Sequence, residues 1–287
     1  MRHLTGFSTI AAEYDGFILD LWGVIHDGVT PYPGAVDCLR QLRAQGKPAV
    51  LLSNAPRRGS VAVTALRAMG IEDALYSGIM TSGEATHMAL AQRSDPWFAE
   101  LGTKVFHLGP QRDRNVIEGL HLVRVETPAE AEFVVNTGPD DLAGPQEVAD
   151  YEPTLRACRD AGLPMICANP DLEVIRGGMR VICAGALAQR YEELGGVACW
   201  LGKPDPAIYA PVLAMLDVPR GRVLAVGDAL RTDIAGAAAA GIDSCWVLGG
   251  IHGEELGGDV ARIEAAAADC GLAPVAAVPS FVWVRNA

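Results

Sequence analysis

The sequence predicts an α/β protein, a parallel sheet wrapped by helices with a second α/β domain inserted into it. Short apolar runs that end in a polar residue alternate with segments whose apolar positions recur at helical spacing. That grammar occupies both ends of the chain, and the stretch between them has an alternation of its own. At 287 residues, half of them hydrophobic, the chain can bury the core of one large or two moderate domains.

The first run, "FILD" at 17–20, is followed by a loop and by "PGAVDCLRQLRAQG", where Val36, Leu39 and Leu42 keep helical spacing and Gly46 supplies a stop. "PAVLLSN" at 48–54 leads into "GSVAVTALRAMG", closed by Gly70. Downstream, "ACWLGKP" at 198–204 precedes "DPAIYAPVLAML", "RVLAVGD" at 222–228 precedes "TDIAGAAAAG", and "DSCWVLGG" follows at 243–250. These five runs are expected to form one sheet. Between them "TKVFHLG", "LHLVRV", "EFVVNTG" and "PMICANP" are strand-like, with helical patterns in "SGEATHMALAQR" and "EVADYEPTLRACRDAG". The expected organisation is therefore a core from residues 1–80 and 183–287, with 81–182 inserted. Near the C-terminus "VARIEAAAADCGL" reads as a helix and "FVWV" as a last short strand.

A formal net charge of -12 argues against a surface made to neutralise nucleic-acid phosphates or to dock on anionic lipid, so neither nucleic acid nor membrane is expected as a partner. A small phosphorylated ligand stays open, because one cation and a few local donors reverse the field inside a site. The seven cysteines are odd in number and scattered, and no CxxC pair occurs. Reduced thiols in a cytoplasmic protein are expected, rather than a disulfide framework or a zinc site. Acidic residues interrupt the N-terminal apolar stretch, so no signal peptide is expected, and the alanine-rich segments are too short to span a bilayer.

Open parallel sheets bind ligands at the carboxyl ends of their strands. Asp20, Ser53 and Asp228 each end an apolar run, and Lys203 follows another. Singly, each could cap a helix or a turn. Together, two acids, a hydroxyl and a lysine are the parts of metal-assisted phosphoryl transfer: a nucleophile, a cation site and donors around the phosphoryl oxygens.

In this order "DLWGV", "LLSN", "GKPDP" and "GDALRTDIAGA" resemble the four motifs of the haloacid dehalogenase-like (HAD) hydrolase superfamily. The long gap between the second and third, and "ANPD" at 168–171, resemble its class IIA, the branch of NagD-like and nitrophenyl-phosphatase-like enzymes. The resemblance covers nearly the whole chain. It implies a Rossmann-type doubly wound core with an inserted α/β cap, and a Mg²⁺-dependent phosphatase acting on a small phosphorylated metabolite. Asp20 would attack phosphorus and form an aspartyl-phosphate, Ser53 and the Asn54 N–H would hold phosphoryl oxygens, and Lys203 would neutralise charge. Asp20, Asp228 and the Trp22 carbonyl would ligate the metal, with Asp233 orienting that cluster. Relatives in this branch often dimerise through the cap, which implies a homodimer.

One position departs from the pattern. The family's first motif is DxD, whose second aspartate is the general acid, and here Trp22 stands in its place and keeps only the carbonyl. Three readings follow: a phosphatase whose substrate needs little protonation or draws it from His26 or Asp27, a metal- and metabolite-binding protein with slow chemistry, or a phosphotransferase. For the rest of the substrate, Arg57 and Arg58 are candidates to grip an anion. On the cap, Asn169 and Asp171 either bind substrate or fix their loop through Asx turns. Arg176 is a candidate for a second anionic group, and the Gly177–Gly178 pair for a tight turn. His107, His121 and His252 show no ligand spacing and are expected at the surface or in loops.

Overall fold

The computed structural model describes residues 1–139, 146–176, 179–251 and 256–284. The expected Gly177–Gly178 turn and His252 lie outside these. Seven parallel strands form the larger sheet, in the order Arg2–His3, Ala276–Val278, Asp243–Val247, Val223–Gly227, Gly16–Leu19, Ala49–Ser53 and Gly78–Thr81. Its central strands are apolar on both faces, as helices on both sides require. Phe17, Leu19 and Leu51 point into one core with Cys38, Leu39 and Leu42 of the helix Ala35–Ala44. Ile18, Val50 and Leu52 point into the other, against Tyr209, Val212 and Leu216 of the helix Tyr209–Leu216.

A second parallel sheet runs Ala198–Trp200, Met165–Cys167, Phe133–Asn136, Lys104–Leu108 and Val123–Val125. It too has a core on each face. Val134, Met165 and Cys167 meet Leu155, Leu187 and Tyr191, while Val105, Phe133 and Ile166 meet Leu90, Phe98 and Val116. An antiparallel hairpin, Glu173–Arg176 with Met179–Ile182, extends from this domain.

Four expectations are corrected, the last being the surface or loop position expected for His107. "ACWLGKP" does not join the larger sheet: Ala198–Trp200 pairs with Met165–Cys167 at the edge of the second. The helix Ala184–Glu193 packs on that sheet as well, so the cap does not end at 182. The periodicity of an apolar run reports that it is a strand and carries nothing about which neighbour it pairs with. "FVWV" is not a strand; the last one is Ala276–Val278, within the preceding "APVAAVPS", and Phe281 is spent on aromatic packing with Phe7, their ring centroids 4.8 Å apart. His107 is buried inside the strand Lys104–Leu108, where its Nε2 meets the Thr137 hydroxyl at 2.9 Å. Cys38, Cys158, Cys167, Cys183 and Cys245 are buried free thiols. No described helix is long and apolar enough to cross a membrane.

Candidate active site

In the larger sheet the strand after Gly16–Leu19 lies on one side and the strand after Val223–Gly227 on the other. These two strands are neighbours, so the crevice beyond their carboxyl ends is a topological switch point, where a doubly wound sheet opens a site. Asp20 and Asp228 stand there, the first residues past each strand.

Lys203 joins them. Its Nζ donates to Asp20 Oδ1 at 2.5 Å, to Asp233 Oδ1 at 2.6 Å and to the Leu52 carbonyl at 3.1 Å. Asp233 is delivered by a single π turn, Leu230–Ile234, a distortion that recurs at functional sites, and its Oδ2 accepts from Ala229 N at 3.1 Å. Asp228 accepts from Ile251 N at 2.7 Å, and its own carbonyl accepts from Trp246 Nε1 at 2.8 Å. Gly23 is in the left-handed region at φ 82, and a Cβ there would lie 2.0 Å from Asp228 Oδ2, so only glycine lets this loop close over the carboxylate.

Three carboxylates and one ammonium share a buried volume, which leaves negative charge uncompensated. Burial pushes Asp20 well above the ordinary carboxylate range; Lys203 opposes this, and Asp233 and Asp228 add to it. Asp228 is also raised, by burial first and then by Asp233. Burial works against the Lys203 charge, but Asp20 and Asp233 outweigh it and hold the ammonium's pKa well above its usual value. Asp20, Asp228 and Asp233 each present an oxygen within 4.8 Å of the others. An all-oxygen donor set in a charge-deficient pocket fits a hard divalent cation.

The cleft has two lobes. Asp20, Trp22, Ser53, Asp171, Lys203, Asp228 and Asp233 line the first, with Tyr32 and Glu173 to Ile175 of the hairpin. Trp22, Arg57, Asn169 and Asp171 line the second, with Arg112, Asp113, Thr137 and Cys183. Apart from Asn54, the expected site residues thus divide between two neighbouring spaces that share Trp22, Asp171 and Val174.

Asn54 ties the lobes together and uses its side chain fully in doing so. Its Nδ2 donates to Asp171 Oδ1 at 2.9 Å and to the Lys203 carbonyl at 3.1 Å, and its Oδ1 accepts from Lys203 N at 2.8 Å and from the Ser82 hydroxyl at 3.2 Å. Asn169 Oδ1 accepts from Asp171 N at 3.0 Å, the Asx turn that was one of its two readings. Arg57 Nε donates to the buried Asp113 at 2.7 Å. Arg58 is committed to Glu84 at 2.8 Å, and Arg176 lines neither lobe.

Neither alternative proton donor lines the first lobe. His26 is buried edge-on against Trp22, ring centroids 5.5 Å apart, with Nδ1 accepting from Gly28 N at 2.9 Å; burial pushes its pKa down to about 4. Asp27 accepts from Thr30 N at 2.7 Å and Val29 N at 2.9 Å, and those bonds hold it below the ordinary carboxylate range. Sequence reasoning missed Tyr32, Ile251, Arg112 and Asp113. Tyr32 sits in an irregular loop and Arg112–Asp113 in a charged run, with no spacing to single them out, and Ile251 acts only through its backbone.

The haloacid dehalogenase-like hydrolase family matches residues 17–123, and the HAD-hydrolase-like family residues 200–270. The crystal structure of a hydrolase of the haloacid dehalogenase-like family from Brucella suis 1330 is 32% identical in sequence and covers 97% of this chain and 100% of its own, with a TM-score of 0.83. The p-nitrophenyl phosphatase from Archaeoglobus fulgidus is 25% identical, covers 93% of this chain and 97% of its own, and has a TM-score of 0.72. D-glycerol 3-phosphate phosphatase of Mycobacterium tuberculosis is 29% identical over 247 residues, 85% of this chain and 65% of that protein. The chain therefore spans just under two thirds of this relative's length.

Proposed function

Because the chain belongs to the haloacid dehalogenase-like hydrolases, we propose that it is a divalent-metal-dependent phosphatase of a small phosphorylated metabolite. The observation that carries this reading is Lys203 bridging Asp20 and Asp233 beside Asp228 at the switch point of the core sheet. An Asp20 oxygen attacks phosphorus while the bond to the leaving oxygen breaks and the electron pair departs with that oxygen. Water then attacks the aspartyl-phosphate, releases phosphate and restores the carboxylate. Lys203 neutralises charge on the phosphoryl oxygens, and Ser53 donates to them. Asp20, Asp228 and the Trp22 carbonyl would hold Mg²⁺, with Asp233 orienting the cluster. The ion supplies charge neutralisation between the nucleophile and the phosphate dianion.

An indole cannot act as an acid, so the leaving oxygen departs without a proton from position 22. Loss of a general acid costs roughly two to four orders of magnitude, most for poor leaving groups. Acyl and aryl phosphates are therefore the favoured substrates, and alkyl phosphates the disfavoured ones.

The test is phosphate release with Mg²⁺ from acetyl phosphate, p-nitrophenyl phosphate and sugar phosphates, with Asp20→Asn and EDTA controls. Release from the activated esters that vanishes in both controls supports the reading. Release equal to that of Asp20→Asn sinks it. Trp22 also favours a second reading, a protein that binds Mg²⁺ and a phosphorylated metabolite without turnover, or a phosphotransferase. Ligand-induced thermal stabilisation without release would mark the first of these, and phosphoryl transfer to an added alcohol without free phosphate the second.

A further inference from the structure

The cap has a switch point of its own. Of the neighbouring strands Lys104–Leu108 and Phe133–Asn136, the first is followed by a strand on one side and the second by a strand on the other. The loops beyond their carboxyl ends carry Arg112 and Asp113 after the first and Thr137 to Pro139 after the second. These residues line the second lobe. Two ligand-binding edges therefore face one another across a single cleft, and Trp22, Asp171 and Val174 line both halves.

The chemistry of the halves differs. The first lobe holds carboxylates and a single lysine, whereas the second brings Arg57 from the core and Arg112 from the cap together with Asp113 and Asp171, the latter held by Asn54, on a wall made partly of Pro56, Val181 and Ile182. Arg57 spends Nε on Asp113, which fixes the plane of its guanidinium and leaves both terminal amino groups for another acceptor. A guanidinium oriented by a buried carboxylate and set among apolar side chains suits a planar or tetrahedral anion at the end of a short carbon chain.

Resting on the reading of Asp20 as the phosphoryl site, we infer that the second lobe binds a second anionic group of the substrate through Arg57 and Arg112, making that substrate a phosphorylated acid. The cap arginine proposed from sequence, Arg176, has no part in this.

Calorimetric titration with non-hydrolysable probes tests it without turnover. In the presence of Mg²⁺, 3-phosphonopropionate is expected to bind the wild type at least about tenfold more tightly than propylphosphonate, the ratio a charge-assisted hydrogen bond gives. That ratio should fall to about twofold in Arg57→Gln and in Arg112→Gln. Arg112→Gln keeps the Arg57–Asp113 pair, and thermal melts without ligand show whether either variant has lost its fold. Equal affinities in the wild type, or a ratio kept by both folded variants, would overturn the second subsite alone. Failure of both phosphonates and of inorganic phosphate to bind the wild type would overturn the phosphoryl-site reading, and this inference with it.

Discussion

Trp22 is the position at which the proposed site departs from the DxD pattern. Its indole lies over Gly28, where a Cβ would come within 2.1 Å of the ring, and its edge meets His26. Trp22→Asp is expected to raise turnover of an alkyl phosphate by about two orders of magnitude relative to p-nitrophenyl phosphate, flattening the dependence of rate on leaving-group pKa. An unchanged dependence would mean that the proton comes from elsewhere. A second residue, His107, sets an acid limit on stability. Burial, then Arg114 and Arg124, push its pKa from 6.5 down to about 4. Between those values the unfolded chain holds a proton that the native ring refuses. The stability from this ring is thus whole above pH 6.5 and is lost as pH falls toward 4, with a ceiling of about 3 kcal/mol. His26 is pushed to about 4 as well. In His107→Gln the urea midpoint should therefore lose part of its fall between pH 6.5 and 4, and an unaltered fall would refute this account.

At the scale of elements, the site depends on how closely a helix approaches a loop. The helix Ser82–Gln92 starts from Thr81, whose hydroxyl accepts from Glu84 N at 2.9 Å. Its second residue, Gly83, lies so near the Pro56–Arg57 backbone that a Cβ would stand 2.4 Å from Arg57 N. Gly83→Ala should cost about 1–3 kcal/mol by overpacking, read in the denaturant midpoint. It should also lower kcat/KM, because the displaced loop carries Arg57 and follows Ser53 and Asn54. Activity unchanged at lower stability would show that the loop absorbs the shift. That helix was legible in the sequence; the short edge strand Gly78–Thr81 before it was not, since between Gly78 and Thr81 only Ile79 and Met80 are apolar, too short a run to stand out.

Across the whole molecule, the buried carboxylates connect metal binding to stability. Asp20 and Asp228 are both disfavoured as anions in the absence of a cation. Mg²⁺ at a hundred times its Kd should therefore add about 2.7 kcal/mol, seen as a rise in Tm that EDTA reverses and Asp228→Asn removes. An Mg²⁺-independent Tm in the wild type would rule out the carboxylate cluster as the metal site. Core and cap meet through Asn54–Asp171, Arg57–Asp113 and Arg58 N to Asn115, bonds of 2.7 to 2.9 Å that cross between the two sheets' loops.

By itself the sequence placed Asp20, Ser53 and Asp228 at the ends of apolar runs and made Lys203, Asp228 and Asp233 candidates for one site, because strand periodicity and motif spacing are local properties. Only the tertiary structure decided that "ACWLGKP" feeds Lys203 to the site from the cap sheet, that Asn54 is a bridge and that Arg57 and Asn169 look into a separate lobe. Strand partners and cleft walls are made by residues far apart in the chain, such as Lys203 and Asp20 or Asp171 and Asn54, and no spacing records which of them meet.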